Sequence, residues 1–356
     1  MQKIDIKGYK SIKNLSLPLQ AINILIGANG SGKSNFLSFF DFLKQIYNRN
    51  LQEFVALKGI DTFLHKGDKI TQEISTHLYF KNTNGYSFTI KKGDAGFIFT
   101  EEGMWYSRNT YFNDNAPIAS FGTESTLRFQ TMPRSGDIIN YFNNLVKYHF
   151  HGTGKNSPFN KESNIKNDVF NLYEKGSNLG AFLYNIYKND TIIYNLIIKT
   201  IQSIAPYFLD FFFRPENNGN LKLRWQSKHS PSVYGVNDLS DGTIRFIALT
   251  VLFMQPNLPE TIIIDEPELG LHPTAIAKLA GLIKSAAAKN CQIIIATQST
   301  DLISHFEPED IITVDQINGE SIFERLDSEK LKAWLEDFTI DDLWKRNIIA
   351  TGQPNF

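Results

Sequence analysis

Residues 27–34 read Gly-Ala-Asn-Gly-Ser-Gly-Lys-Ser, a glycine-rich stretch that ends in a lysine and a serine. A mostly apolar run, 21–26, precedes it and predicts a buried strand, and a helix is predicted from Lys33 to about residue 49. The glycines allow successive backbone N–H groups to point inward around a phosphate. Lys33 would then reach the β- and γ-phosphates, and the Ser34 hydroxyl would be a Mg²⁺ ligand. The pattern therefore predicts that the chain binds a nucleoside triphosphate.

A second group of residues could supply the metal and the water chemistry. Residues 261–268 read Thr-Ile-Ile-Ile-Asp-Glu-Pro-Glu, an apolar strand that stops at an acidic pair. Asp265 would hold Mg²⁺ directly or through water. Glu266 would lie beyond the γ-phosphate, where a carboxylate can orient and deprotonate the attacking water. Solvated acids are common at strand ends, but a phosphate loop in the same chain favours the functional interpretation.

The third group is Leu239-Ser240-Asp241-Gly242-Thr243, at the start of a predicted helix over 240–255. Ser240 is a good N-cap, so a capped helix alone would explain it. A serine hydroxyl, a glycine and a helix N-terminus also form an anion site. The position of this turn, shortly before the acidic strand, favours the anion site.

The elements that must position these groups come from both ends of the chain. Alternation over 3–19 predicts edge strands, and short aromatic and β-branched runs separated by turns predict an antiparallel meander within 71–130. Residues 135–205 have a helical pattern that a loop containing Gly, Ser and Pro interrupts at 152–164. The order strand 261–264, helix 273–288, strand 292–296 is typical of a parallel sheet. We therefore predict an α/β nucleotide-binding domain built from 1–70 and 208–356, with a β-meander plus helical lobe, 71–207, inserted.

Composition narrows the class of protein. The chain has 356 residues, 42% hydrophobic and 21% charged, which is typical of a soluble globular protein. A net charge of −1 excludes an overall basic field. The single cysteine, Cys291, lies in an apolar run and is expected to be a buried structural thiol. No apolar run reaches membrane-spanning length and the first residues do not form a secretion signal, so we expect a cytoplasmic protein that contacts no membrane.

These motifs, together with Ile264–Pro273 and Ala296-Thr-Gln-Ser299, resemble the ABC-type ATPase heads of RecF, SMC and OLD proteins. The whole chain is similar to the short bacterial AAA ATPases grouped as RecF/SMC-like. The resemblance includes Lys147–His151 and the ending 334–344. No nuclease signature follows residue 300, which distinguishes the chain from OLD-family nucleases. The fold that the resemblance implies is an ABC-type P-loop NTPase head with flanking helices.

The resemblance also implies a composite site for ATP and Mg²⁺. In such heads two subunits pack head to tail around ATP, and the Leu-Ser-Asp-Gly turn of one completes the pocket of the other. We therefore expect a homodimer or a higher even oligomer. Leu269–His272, here named the crossing loop, corresponds to the segment that runs between the two sites. The residues implied are, for catalysis, Glu266, Lys33 and Gln298; for the nucleotide, Gly27, Asn29, Gly30, Ser31, Gly32, Lys33, Ser34, Asn35, Ser240, Asp241 and Gly242; and for the metal, Ser34 and Asp265.

Two positions depart from the pattern of most ABC transporters, which have a Gly at the position of Asp241 and a His at that of Gln298. An amide can bond a γ-phosphate oxygen but cannot become cationic, so we expect slow hydrolysis. A counterpart of the lid-loop glutamine stays open between Gln72 and Gln130. His149 and His151 suggest a metal, but without nearby Cys or carboxylate ligands a structural pair in the inserted lobe is favoured.

The leading hypothesis is a DNA-linked ATPase in repair or anti-phage defence, and its DNA part depends on the resemblance alone. The alternative is a nucleotide-gated scaffold that controls a separate effector such as a nuclease. A transporter motor is disfavoured by the large insert and by Gln298. Candidate DNA contacts are the cations of the insert: Lys91, Lys92, Arg108, Arg128 and Arg134.

Overall fold

The computed structural model describes residues 1–80, 84–109, 112–119, 121–132, 135–152, 154, 156–346 and 348–349, without the side chains of 106–109, 112–116 and 119. The chain forms two compact units, Met1–Leu145 with Glu307–Phe356, and Val146–Phe306. The strands are β1 Lys3–Tyr9, β2 Ile12–Pro18, β3 Ile22–Ile26, β4 Glu73–Tyr79, β5 Asn84–Lys92, β6 Phe97–Asn109, β7 Phe112–Ala119, β8 Val146–Tyr148, β9 Ser163–Asn164, β10 Phe208–Phe211, β11 Asn220–Leu221, β12 Arg224–Ser227, β13 Ser230–Gly235, β14 Thr261–Asp265, β15 Gln292–Ala296, β16 Ile311–Ile317 and β17 Glu320–Arg325. The helices are α1 Lys33–Asn48, α2 Leu51–Lys58, α3 Ser135–Asn143, α4 Leu179–Asn189, α5 Thr191–Gln202, α6 Asp241–Met254, α7 Pro273–Ala288, α8 Thr300–Ile303, α9 Ser328–Leu335 and α10 Ile340–Lys345.

The first unit contains an antiparallel sheet in the order β2-β1-β4-β5-β6-β7. Alternate residues of β1, such as Ile4 and Ile6, are fully buried, as expected for a strand with one face on a core. The meander predicted within 71–130 is confirmed by β4 to β7, and it continues the sheet that β1 and β2 begin.

The strand that leads to the glycine-rich loop is wholly buried. Every residue of β3 is buried, and β3 pairs in parallel with β16, with Ile24 opposite Ile311. β16 in turn pairs antiparallel with β17. A strand buried on both faces is mostly apolar, as the sequence of this run shows. Its one polar residue, Asn23, is fully buried, and its side chain forms hydrogen bonds with the Gln20 backbone.

Helix α1 begins at the end of the glycine-rich loop and is held by aromatic packing. Phe39 lies edge-on to Tyr9 of β1, with ring centroids 4.9 Å apart. Phe36, on another part of the helix surface, packs against Phe323 of β17, with ring centroids 5.5 Å apart. Such aromatic pairs add to the free energy gained by area burial. The first turn of α1, and with it the loop, is therefore fixed by contacts to β1 and to β17.

In the second unit β14 lies between β8 and β15, and all of these strands are parallel. Ile264 is opposite Tyr148 of β8 and Ile295 of β15. Parallel strands bring their carboxyl ends to the same edge of a sheet, so the residues that follow them meet there. Helices α6 and α7 pack against one another, and β10, β12 and β13 form a separate antiparallel sheet.

The structure agrees closely with the predicted elements of the last third, where α7 and β15 have the predicted bounds. It differs within 135–205, because β8 and β9 lie in the stretch predicted as helical and no α-helix is described between α3 and α4. Strands of two or three residues are too short to show a strand period in the sequence. The division into a domain of 1–70 with 208–356 and an insert of 71–207 stays a prediction. Among the described residues, no helix has the length and apolarity needed to cross a membrane.

Candidate functional site

The glycine-rich loop connects β3 to α1 within the first unit. Gly27, Gly30 and Gly32 have φ angles of +155°, +81° and +115°, which residues with a Cβ rarely adopt. A Cβ at position 27 would overlap the carbonyl of Val314, and one at position 32 would overlap the side chain of Ser321. Only glycine fits at these two positions, so the backbone follows a path that a sequence without these glycines could not take.

A cluster of hydroxyl and amide side chains forms hydrogen bonds with one another and with the backbone of this loop. The Ser321 Oγ donates to the Ser31 carbonyl at 2.6 Å and lies 2.7 Å from the Ser11 Oγ. The Asn35 Nδ2 donates to the same Ser11 Oγ at 2.8 Å. The amide of Asn35, predicted to be near the nucleotide, is thus bonded to this cluster. Sequence reasoning missed Ser11 and Ser321, since neither is near the loop in the chain.

Lys33 lies over the loop rather than in solvent. Its side chain is 6% exposed, and its Nζ donates to the carbonyls of Gly27 at 2.6 Å and Ala28 at 2.9 Å. Ser31 is also buried, and its Oγ has no hydrogen-bond partner among the described residues. A buried cation and a buried hydroxyl without a partner in the described part of the chain, both in a glycine-rich loop, match the needs of a phosphate group. The residues of the loop therefore fit the triphosphate predicted for them.

The rim of the loop is accessible. Asn29 and Ser34 are exposed, and Ser34 lies in the first turn of α1. A Mg²⁺ ion could reach the Ser34 hydroxyl only if that side chain were accessible, as it is here.

The acidic pair lies at the carboxyl end of β14 in the second unit. Asp265 is half-buried and lies opposite Ala296 of β15. Glu266 has a left-handed backbone with φ of +43°, and its N–H donates to the Ala296 carbonyl at 2.8 Å. The Gln298 Nε2 donates to the Glu266 Oε1 at 3.0 Å. The structure thus brings two of the predicted catalytic residues, Glu266 and Gln298, into direct contact.

The next acid along the chain, Glu268, was not predicted to have a role. It is 8% exposed, and its Oε1 accepts a hydrogen bond from the Thr297 hydroxyl, which also accepts one from the Ser299 N–H. Burial raises the pKa of Glu268, the Glu266 carboxylate acts in the same direction, and the Thr297 hydrogen bond acts against both. The buried Glu268 side chain therefore connects the turn after β14 to Thr297, directly after β15.

The turn before α6 presents exposed polar residues. Ser240 is the N-cap of α6, with its Oγ accepting from the Thr243 N–H at 3.2 Å, as predicted from its residue type. Ser240 and Asp241 are exposed, and Gly242 is half-buried. A Cβ on Gly242 would overlap the carbonyl of Gly270, so the helix start packs directly on the crossing loop.

The histidine pair lies beside the acidic strand. β8 ends at Tyr148, opposite Ile264, and the chain then carries His151 to the end of β14, where its Nε2 lies 2.9 Å from the Asp265 carbonyl. The rings of His149 and His151 are stacked with centroids 4.2 Å apart. Among the described residues there is no group of three or more His, Cys, Asp or Glu side chains that could hold a metal. Sequence reasoning assigned the pair to the inserted lobe and missed its position beside the acidic pair.

The remaining candidates lie in the first unit or outside the described residues. The Gln130 side chain bonds to Thr126, and Gln72 directly precedes β4. Lys91 and Lys92 form ion pairs with Glu73 and Asp68. Arg134 and the side chain of Arg108 lie outside the described residues.

Comparisons with known proteins give the chain its family. Residues 22–304 match the family described as "AAA domain, putative AbiEii toxin, Type IV TA system". The chain is 23% identical over 331 residues to the OLD nuclease of Thermus scotoductus, covering 84% of this chain and 59% of that protein. It is 21% identical over 374 residues to the Old nuclease of Escherichia phage P2, covering 93% and 62%. The chain thus spans about three-fifths of the length of these relatives.

Among solved structures, the chain is similar to an SMC head bound to the C-terminal winged-helix domain of ScpA. The TM-score is 0.62 at 17% identity, over 93% of this chain and 99% of that one. This likeness shows the fold, which is that of an ABC-type P-loop ATPase head. By the match over most of its length, the chain belongs to this AAA-domain family.

Proposed function

We propose that this protein is a Mg²⁺-dependent ATPase whose two copies close head to tail around ATP. The observation that carries the proposal is the glycine loop with the buried Lys33 held over it. Such a loop binds phosphates through its amides and its lysine. Ser34 and Asp265 would hold Mg²⁺, which would neutralise charge on the phosphates.

Glu266 is the residue that we propose for activation of water. Its side chain accepts a hydrogen bond from Gln298, and its backbone is held by Ala296. A carboxylate whose position is fixed on both sides is suited to orient a water molecule for attack on the γ-phosphate.

The dimer is proposed because Ser240 and Asp241 are exposed at a helix N-terminus. In our proposal this turn meets the γ-phosphate of the ATP held by the partner subunit, where a helix N-terminus and a serine hydroxyl stabilise negative charge. ATP would then link the two copies.

The test is ATP binding, ATP hydrolysis and light scattering on three variants. Lys33→Ala should lose ATP binding and stay monomeric. Glu266→Gln should bind ATP, lose about a hundredfold or more of its hydrolysis rate, and accumulate as a dimer with ATP and Mg²⁺. The control is Glu216→Gln, which changes an exposed acid in the same unit as Glu266. This variant should behave as wild type. Monomers of Glu266→Gln at saturating ATP would contradict the composite site.

A second candidate function is a nucleotide-gated scaffold with slow hydrolysis. The observation that favours it is the contact between Gln298 and Glu266, because an amide at this place cannot become an imidazolium that stabilises the γ-phosphate. A partner protein that co-purifies with wild type and is lost in Lys33→Ala would support the scaffold.

We further propose that the protein takes part in a DNA-linked process, DNA repair or anti-phage defence, whether it acts as the ATPase or as the scaffold. The support is the similarity to proteins named as OLD nucleases and to an SMC head. A nuclease acting as the separate effector would suit the scaffold.

A further inference from the structure

Arg245 is buried more deeply than arginines usually are. It lies in the second turn of α6, five residues after Ser240, and its side chain is 5% exposed. Arginine is almost never buried to this extent unless its guanidinium has partners. Burial lowers the pKa of Arg245 from its ordinary value, and the nearby Asp241 carboxylate opposes that change.

The partners of Arg245 are backbone carbonyls of two other segments. Its Nη1 donates to the carbonyl of Leu269, the first residue of the crossing loop. Its Nε donates to the carbonyl of Phe150 at 3.2 Å, in the segment that carries His151 to the end of β14. One guanidinium therefore connects the signature turn, Leu239–Thr243, to both segments that border the acidic pair.

The packing at this connection allows little movement. Gly242 approaches Gly270 so closely that a Cβ would overlap the Gly270 carbonyl. Gly270 itself has φ of +74°, and a Cβ there would lie 2.8 Å from the Arg245 Nη1. The signature turn and the crossing loop thus touch backbone to backbone, with the guanidinium beside them.

The connection continues to the proposed catalytic acid. The Leu269 N–H donates to the Glu266 carbonyl at 3.2 Å, and the Glu266 Oε1 accepts from Gln298. Contacts within one unit thus lead from the helix start, through Arg245 and Leu269, to Glu266. A displacement of the signature turn would be transmitted through short, packed links rather than through a flexible loop.

We propose that Arg245 is a positioning residue that joins the signature turn and the crossing loop into one body, so that ATP contacted in the partner's site orients Glu266 in the subunit's own site. This inference depends on the proposed ATP-dependent dimer and adds to it a coupling between the two sites. Two coupled sites give hydrolysis that is cooperative in ATP concentration.

The experiment compares Arg245→Met and Arg245→Lys with wild type. For Arg245→Met we expect ATP affinity within about threefold of wild type, a kcat lowered about tenfold, and loss of cooperativity in ATP. Arg245→Lys keeps the charge but cannot donate to both carbonyls, so it should also lose cooperativity. A Met variant with the kcat and cooperativity of wild type would overturn the proposal.

Arg325 supplies the matched control. Its guanidinium also donates to backbone carbonyls, those of Glu309 at 2.6 Å and Pro18 at 3.0 Å, and burial lowers its pKa as well. It also donates to the Asn23 Oδ1, and Arg325 and its partners all belong to the first unit, whereas Arg245 and its partners belong to the second. We expect both Arg325→Met and Arg245→Met to lower the melting temperature, because each leaves backbone carbonyls without their donor. Cooperativity should stay that of wild type in Arg325→Met. Equal loss of cooperativity in both variants would show a general effect of destabilisation and would overturn the proposal.

A measurement without an Arg245 variant covers the case in which that variant does not fold. In Glu266→Gln, ATP should slow amide hydrogen exchange in the crossing loop together with the signature turn. Slower exchange in the signature turn alone would overturn the coupling while leaving the dimer intact. A wild type that neither binds ATP nor dimerises would instead contradict the proposed function itself.

Discussion

At the scale of single residues, Glu266 has the most unusual backbone of the candidate site. Its φ of +43° is rare for a residue with a side chain, and Pro267 after it favours extended backbone instead. Strained residues of this kind persist only where neighbours hold them, and they concentrate at functional sites. Here the Glu266 N–H donates to the Ala296 carbonyl and the Glu266 carbonyl accepts from the Leu269 N–H, and these two hydrogen bonds stabilise the strained backbone. We infer that this backbone serves to aim the carboxylate.

Glu268, two residues on, allows a prediction on stability and pH. Because its pKa is raised in the folded protein, its protonated form favours folding, and that contribution is full at low pH and is lost as pH rises through the raised pKa. Glu268→Gln keeps an uncharged group of the same shape. We therefore expect the melting temperature of the variant, relative to wild type, to increase as pH is raised from about 5 to about 8.

The control for Glu268 is Glu102, a glutamate with 3% exposure in the first unit. Its oxygens accept hydrogen bonds from Tyr86, Ser125 and Thr126. An amide nitrogen there would face donors, so Glu102→Gln should lower the melting temperature. A melting temperature of Glu268→Gln that falls relative to wild type as pH rises would show that ionised Glu268 is stabilising, contrary to our interpretation.

At the scale of elements, the glycine loop depends on a strand that is almost three hundred residues away in sequence. The Ser321 side chain at the start of β17 bonds to the Ser31 carbonyl and to Ser11. Loss of one such bond costs about 1 kcal/mol, which corresponds to about a fivefold change in an equilibrium constant. We expect Ser321→Ala to weaken ATP binding about fivefold, measured by titration with a fluorescent ATP analogue.

Ser157→Ala is the matched change for this prediction. Ser157 is buried to a similar extent and its Oγ donates to the Gly152 carbonyl at 2.6 Å, but it belongs to the second unit, whereas the glycine loop belongs to the first. It should lower stability to a similar degree and leave the affinity for ATP unchanged. If both alanine variants bound ATP as wild type does, Ser321 would have no part in shaping the loop.

The sequence predicted the elements whose residues are close in the chain and missed the contacts between distant ones. The glycine loop, the acidic strand end and the Ser240 cap each lie within a few residues, so their spacing reveals them. His151, Ser321 and Arg245 gained their positions through β8, β17 and packing of α6 on the crossing loop. No local pattern encodes those contacts, because they depend on which strands and helices become neighbours.

At the scale of the whole molecule, charge constrains any contact with DNA. The chain has 36 Lys and Arg against 37 Asp and Glu, so it has no overall attraction for phosphates. Two of the candidate contacts, Lys91 and Lys92, are already paired with acids. Arg128 is exposed and its guanidinium lies 6.0 Å from the Tyr47 ring. In a single copy, at least two of the five candidate contacts are therefore already neutralised by acids.

A dimer presents each of these cations twice, and the salt dependence of binding grows with the number of phosphates neutralised. We expect duplex DNA to raise ATP hydrolysis by wild type at low salt and to have little effect above about 200 mM salt. Lys91→Gln combined with Arg128→Gln should weaken this stimulation, whereas Lys222→Gln, an exposed lysine paired with Glu162, should not. Hydrolysis that is indifferent to duplex DNA even at low salt would remove direct DNA contact by this chain from the proposed function and leave the scaffold, with a separate nuclease, as the better account.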